Sequence, residues 1–343
     1  MYMSKQTPSL IISNMDKSHS GTSHQGSSSS PQMSRQTQWL LLLIAGLLLV
    51  ASSGVPAGTG RAAGRTPQKG HIYKFWSLQN RTADHHSPDA LVFIPPGFDS
   101  RKSIRLVIYN HGLLHTVDEA FNRWRLDKDM RLAPANTALI LPEWAYDPAE
   151  YSCQSGCFHE PGFFRNMLIE VMSHTPELRR TPLSRIKEIA IVSYSGGFRA
   201  AASEIYRNGI YDKVNTLVLL DSLYGEHHFD PWIKANLQAL ASGRKQYHNF
   251  FFDTKRNSVA QYERVQQMLQ AAGIQYPSLT CDLWHETRTL DASHLSRRGI
   301  VYKYTTTSTP DFIPHQNVAK VYFPIAMKAW TLRIQTASRL AVR

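Results

Sequence analysis

The rhythm of apolar and polar positions changes at His71. Beyond it, short apolar runs bounded by turn residues recur, and they predict eight strands. These are His71–Trp76, Ala90–Ile94, Leu106–Tyr109, Ala138–Leu141, Ile189–Val192, Thr216–Leu220, Asn249–Phe252 and Ile300–Tyr304. Most are continuously apolar, as expected of strands buried on both faces. Helical stretches fit between most of them. Thr116-Val117-Asp118-Glu119 is a capping box that opens a helix to about Arg131. Pro161 opens a second, through Phe164, Met167, Leu168 and Val171. Phe198 to Asn208 reads as a third, stopped by Gly209. Asp230-Pro231 supplies a cap and first-turn proline for a helix to Leu240. Ser258 caps one ending at Gly273, and the last begins near Pro324. Strands alternating with helices predict a three-layer α/β sandwich with a mostly parallel, eight-stranded sheet. The connection from Asp221 to His248 is short, so no large cap domain is expected. Residues 143–162 and 276–298 are the expected pocket walls.

Before His71 the texture differs. Residues 1–38 are rich in Ser, Gln, Thr and Gly, too polar to fold. Trp39 to Ala51 is an apolar run preceded by Arg35 and followed by small residues, with Val55-Pro56-Ala57 as a cleavage region. That is signal-peptide architecture over 39–57, with an uncleaved signal anchor as the alternative and Met33 as a possible start. Residues 58–70 read as a linker and 71–343 as the folded domain. The expected location is periplasmic or secreted.

The formal charge of +12 comes without any nucleic-acid motif, and the basic residues are scattered, so no nucleic-acid partner is expected. The excess suits an anionic envelope or substrate, or serves solubility. Of three cysteines, Cys153 and Cys157 are close enough for a disulfide in an oxidising compartment, and Cys281 stands apart. Their spacing, with no second Cys/His pair, gives no zinc site, and no His-Glu-x-x-His occurs. No metal or other cofactor is expected.

The chemistry concentrates after the fifth strand. Ser193-Tyr194-Ser195-Gly196-Gly197 makes a sharp strand-to-helix turn that leaves Ser195 exposed at a helix N-terminus. A serine hydroxyl needs a base, an orienting acid and an oxyanion hole before it can attack a carbonyl. His315, between Pro310 and the final helix in a loop that Pro314 also stiffens, is the expected base. His227, His228, His285 and His294 fit that position less well. Asp221, after the sixth strand, and Asp253, after the seventh, compete for the acid, with Asp311 a remoter choice. Apolar neighbours favour Asp221, whereas Thr254-Lys255-Arg256-Asn257 suits a surface carboxylate. Asn110-His111-Gly112-Leu113 follows the third strand, so the Leu113 and Gly196 amides are the expected oxyanion donors.

These pieces resemble the α/β-hydrolase superfamily over residues 71–340, with Ser193 replacing the usual first glycine of the elbow. Ser195-Gly196-Gly197-Phe198-Arg199 and Leu220-Asp221-Ser222-Leu223-Tyr224-Gly225 resemble a group of exported bacterial hydrolases of unassigned substrate. The resemblance supports Ser195, favours Asp221 and implies a bacterial envelope location. The leading expectation is an exported serine esterase acting on a small or envelope-derived acyl compound. An amidase or peptidase with the same residues is the second reading. An envelope protein that only binds ligand in the pocket is the third.

Overall fold

A computed structural model describes residues 69–81, 87–144, 156–275, 280–282, 290–304 and 314–340. They fall within one compact unit, Arg65–Arg343. The expected signal region, most of the linker, Cys153, Asp311, His285 and parts of both expected pocket walls lie outside the described residues.

The strands are β1 (His71–Phe75), β2 (Ala90–Ile94), β3 (Ile104–Asn110), β4 (Thr137–Pro142), β5 (Ile186–Tyr194), β6 (Val214–Leu220), β7 (Gln246–Phe251), β8 (Thr280–Asp282) and β9 (Ile300–Tyr304). They form one sheet in the order β1-β2-β4-β3-β5-β6-β7-β9-β8. β2 pairs antiparallel with both β1 and β4, and every other pairing is parallel. All eight expected strands are present. A ninth, β8, joins at the edge from within the stretch expected to be a pocket wall. Three residues are too few to show a periodicity, so nothing in the pattern announced it.

Alternate residues of each central strand feed two cores. On β5, Ile189 and Ile191 join one apolar cluster, whereas Ala190 and Val192 join the other. The first is covered by α3 (Phe163–His174), α4 (Phe198–Arg207), α5 (Asp230–Ala235) and α7 (Lys255–Ala271). The second is covered by α1 (Val117–Arg123), α2 (Leu126–Asp129), α8 (Ala292–Ser296) and α9 (Pro314–Leu340). A two-sided sheet of this kind needs strands apolar at every position, which is what these runs supply.

Several helix boundaries depart from expectation. The capping box at Thr116 is formed, but the helix stops at Arg123 because Arg125 turns left-handed at φ 54°. The helix from Asp230 breaks at Asn236, and α6 (Leu237–Ala241) continues as a separate piece. α7 begins at Lys255, before the expected cap Ser258, whose buried hydroxyl accepts from Asn249 instead. The last helix begins at Pro314 rather than Pro324, so His315 stands in its first turn and not in a loop. Proline is welcome at a helix start. Pro324 lies partly exposed inside the helix, flanking the buried stripe of Val318, Ala319, Phe323 and Met327.

Candidate active site

Parallel strands end on one edge of a sheet, and the candidate residues gather at that edge. Ser195 follows β5 in a single 3-10 turn before α4 and adopts φ 51°. A left-handed serine is strained, and only close packing on both sides holds it. Two glycines permit that packing. A Cβ on Gly197 would sit 2.7 Å from the carbonyl oxygens of Asn110 and His111. A Cβ on Gly112 would sit 3.0 Å from Ser195 Cβ and 2.9 Å from the Tyr194 ring. The loop after β3 therefore presses directly on the turn after β5.

Ser193 does not behave as a glycine substitute. Its fully buried hydroxyl lies 2.5 Å from Ser222 Oγ, and Ser222 donates to the Ser195 carbonyl at 2.6 Å. The side chain that breaks the usual elbow pattern thus holds Ser222, which braces the turn from the end of β6.

His315 reaches the turn from the far end of the chain. Its Nε2 lies 2.9 Å from Ser195 Oγ, and its Nδ1 lies 2.7 Å from Asp221 Oδ2. Tyr194 packs on the imidazole with ring centroids 5.2 Å apart. The helix start is tied to the β3 side as well, because Arg123 donates to Gln316 Oε1 at 2.8 Å.

Asp221 is fully buried and also left-handed, at φ 50°. Its carboxylate accepts from the amides of Phe252, Asp253 and Thr254 and from the Thr254 hydroxyl, all at 2.9–3.0 Å. Burial alone would push this carboxyl up. The bonds from His315 and the three amides outweigh it and hold the group below the usual carboxylate range. Asp253 is half exposed, and its carboxylate stands 3.5 Å from the same Nδ1. The structure thus brings Ser195, His315 and Asp221 into hydrogen-bond contact and leaves Asp253 just outside it. His294 pairs with Asp291 on the surface, and His227 pairs with Asp230.

The third-strand loop has its own support. His111 is fully buried, with Nδ1 2.8 Å from the Gly112 carbonyl and Nε2 3.0 Å from Glu143 Oε1. A carbonyl only accepts, so Nδ1 carries a proton. Gly112 C=O and Leu113 N–H belong to one planar peptide, so gripping the oxygen sets the direction of the amide. Glu143 Oε2 accepts from Ser87 and Val117. Burial raises the Glu143 carboxyl, but the His111 charge and these donors bring it below its ordinary value. Beneath the loop, Asn110 donates to Glu204 Oε2 at 2.9 Å. Glu204 is fully buried, and desolvation pushes it up to about 8 against that one bond. Burial thus favours its neutral form, and it forms part of the packing between β3 and α4.

Asp221, Asp253 and His315 are also the described residues whose donor atoms converge closely enough to hold a cation. His315 spends both ring nitrogens on Asp221 and Ser195, and Asp221 spends both oxygens on donors. That donor set fits a proton path better than a metal. Sequence reasoning missed Ser222, Glu143, Glu204 and Tyr224, whose hydroxyl is influenced by the nearby Ser195 side chain. For Glu143 a signal existed, since an acid directly after an apolar parallel strand must find a buried partner.

No family model matches the chain, and no curated protein is similar enough to count as a relative. Solved structures align with much of the chain. A ferulic acid esterase is 14% identical, with 76% of this chain and 98% of that one covered at a TM-score of 0.48. The feruloyl esterase module of Clostridium thermocellum in complex with sinapinate is 14% identical, covers 84% and 98%, and scores 0.47. An S-formylglutathione hydrolase from Agrobacterium tumefaciens is 9% identical, covers 78% and 97%, and scores 0.42. The strand order, the serine turn after β5 and the histidine at the last helix together give this chain the α/β-hydrolase fold.

Proposed function

We propose that the chain is a serine hydrolase that cleaves a carboxylic ester through an acyl-enzyme. The observation that supports this reading is the continuous path from Ser195 Oγ through both nitrogens of His315 to buried Asp221. Ser195 Oγ attacks the acyl carbonyl while His315 Nε2 takes its proton. Asp221 holds the Nδ1–H tautomer and stabilises the imidazolium that forms. The Leu113 and Gly196 amides receive the developing oxyanion, each donor worth ~3 kcal/mol in the transition state. The imidazolium then protonates the leaving alcohol, and water repeats the sequence to release the acid. Amide cleavage would use the same atoms and is the second reading.

Two measurements test this. A fluorophosphonate should label Ser195, and hydrolysis of p-nitrophenyl esters should vanish in Ser195→Ala while the fold persists. Full activity in that variant ends the serine reading.

We also infer that the chain is exported, on the apolar run Trp39 to Ala51 and the small residues after it. Among the described residues no helix is long and apolar enough to cross a membrane. N-terminal sequencing of protein from the cell envelope should find a start between about residues 54 and 60. An intact N-terminus on cytoplasmic protein would contradict export.

A further inference from the structure

A cavity of about 380 Å³ opens beside α4, lined by His159, Arg199, Ala202, Ser203, Tyr206, Arg207 and His228. Its volume lies in the range of small-molecule sites. Five of the seven residues come from α4 itself, at positions 199, 202, 203, 206 and 207, which is one face of a helix. That face begins one helical turn beyond the nucleophile turn, roughly 6 Å along the axis from Ser195, and runs roughly 12 Å further. Among the described residues lining it there are two arginines and two histidines and no carboxylate.

Ring contacts run from the serine turn to the cavity. Tyr224, whose hydroxyl is influenced by the nearby Ser195 side chain, packs on Phe198 with ring centroids 6.0 Å apart. Phe198 meets the His228 ring edge-on at 4.9 Å. The opposite wall is held in register. Arg207 donates to the His159 carbonyl at 2.9 Å, and the Arg207 carbonyl accepts from the Gly162 amide at 2.9 Å. One such bond leaves a guanidinium able to fork onto an anion. The nearby carboxylate of Asp230 is committed elsewhere, to Arg264, Gln261 and His227. Burial, followed by the charges of Arg199 and His227, holds His228 below its ordinary value, partly offset by a bond to the Gly225 carbonyl.

We propose that this cavity is an anion subsite, and that the ester cleaved at Ser195 carries a carboxylate or phosphate that Arg199 and Arg207 receive. This rests on the ester-hydrolase reading and adds to it the charge of the substrate. The chain's excess of basic over acidic residues favours the approach of such a compound.

The test compares p-nitrophenyl hemiadipate, with its free terminal carboxylate, against p-nitrophenyl hexanoate, of the same chain length without charge. At constant ionic strength the native chain should favour the hemiadipate in kcat/KM by about tenfold or more. Arg199→Gln and Arg207→Gln should each lower that ratio severalfold, and the double variant should bring it near unity. A ratio near unity in the native chain, or one unmoved by both variants, overturns the proposal. A second arm needs no turnover. Inorganic phosphate, or adipate in parallel, replacing chloride at fixed ionic strength should raise the melting temperature of the native chain more than that of the double variant. Equal shifts in the two proteins overturn the subsite. If neither ester is hydrolysed, the ester-hydrolase reading fails by itself, and the phosphate and adipate arm decides the subsite. A larger shift with phosphate than with adipate assigns the anion as a phosphate, and the reverse as a carboxylate.

Discussion

At the scale of single residues, two carboxylates address one imidazole, and burial separates them. Asp221 is enclosed and holds five donors, whereas Asp253 is half exposed and 3.5 Å away. An enclosed, pre-bonded carboxylate fixes a tautomer, and a solvated one does so weakly. Asp221→Asn is therefore expected to lower kcat by at least ~10²-fold and toward ~10⁴-fold. Asp253→Asn should stay within about threefold of the native rate. Steady-state kinetics on both variants checks this, and a larger loss at Asp253 would reverse the assignment. Ser195, Asp221 and His315 could be picked out of the sequence because each follows, or faces, the end of an apolar run. The choice between the two acids turned on neighbours' polarity, which is a local property. Ser222 and Glu204 were not legible, since their meaning lies in partners from 27 to 94 residues away. No local pattern marks such pairs.

At the scale of elements, strands were read better than helix ends. A fully buried parallel strand needs a continuous apolar run, so the pattern leaves little choice. Helix ends depend on competing local bonds. Asp230-Pro231 promised a long helix, but it breaks at Asn236, whose amide donates back to the Trp232 carbonyl at 2.7 Å. Pro324 looked like a helix start and is an interior position instead. There it removes the bond to the Lys320 carbonyl, and Lys320 is exposed, so water can take that acceptor. The misplaced start hid the fact that His315 stands on a helix anchored along its whole buried stripe. An imidazole so placed is held more firmly than one in a proline-stiffened loop.

At the scale of the whole molecule, one buried acid couples the fold to pH. Glu204 is pushed up to about 8 by desolvation, against an ordinary value of 4.5. Between those two values the folded chain keeps a proton that the unfolded chain has released. Stability therefore falls as pH rises from about 4.5 to about 8. Glu204→Gln keeps the shape and the Asn110 contact but cannot ionise. Urea unfolding should find that variant more stable than the native chain by a margin that grows by a few kcal/mol between pH 5 and pH 8. An equal margin at both pH values would show that Glu204 is not the group responsible.

The span of the site along the chain has a consequence in the order of synthesis. Ser195 and His315, the proposed nucleophile and base, are 120 residues apart, and His315 rides on the last described helix. That helix is fastened to the nucleophile's own strand, through Glu188, which accepts from Trp330 at 3.0 Å and Arg333 at 2.6 Å. A ribosome therefore releases the serine strand long before the histidine exists. In the proposed mechanism, a growing or truncated chain carries an unactivated hydroxyl, and the three residues come together only when that helix has been made and docked.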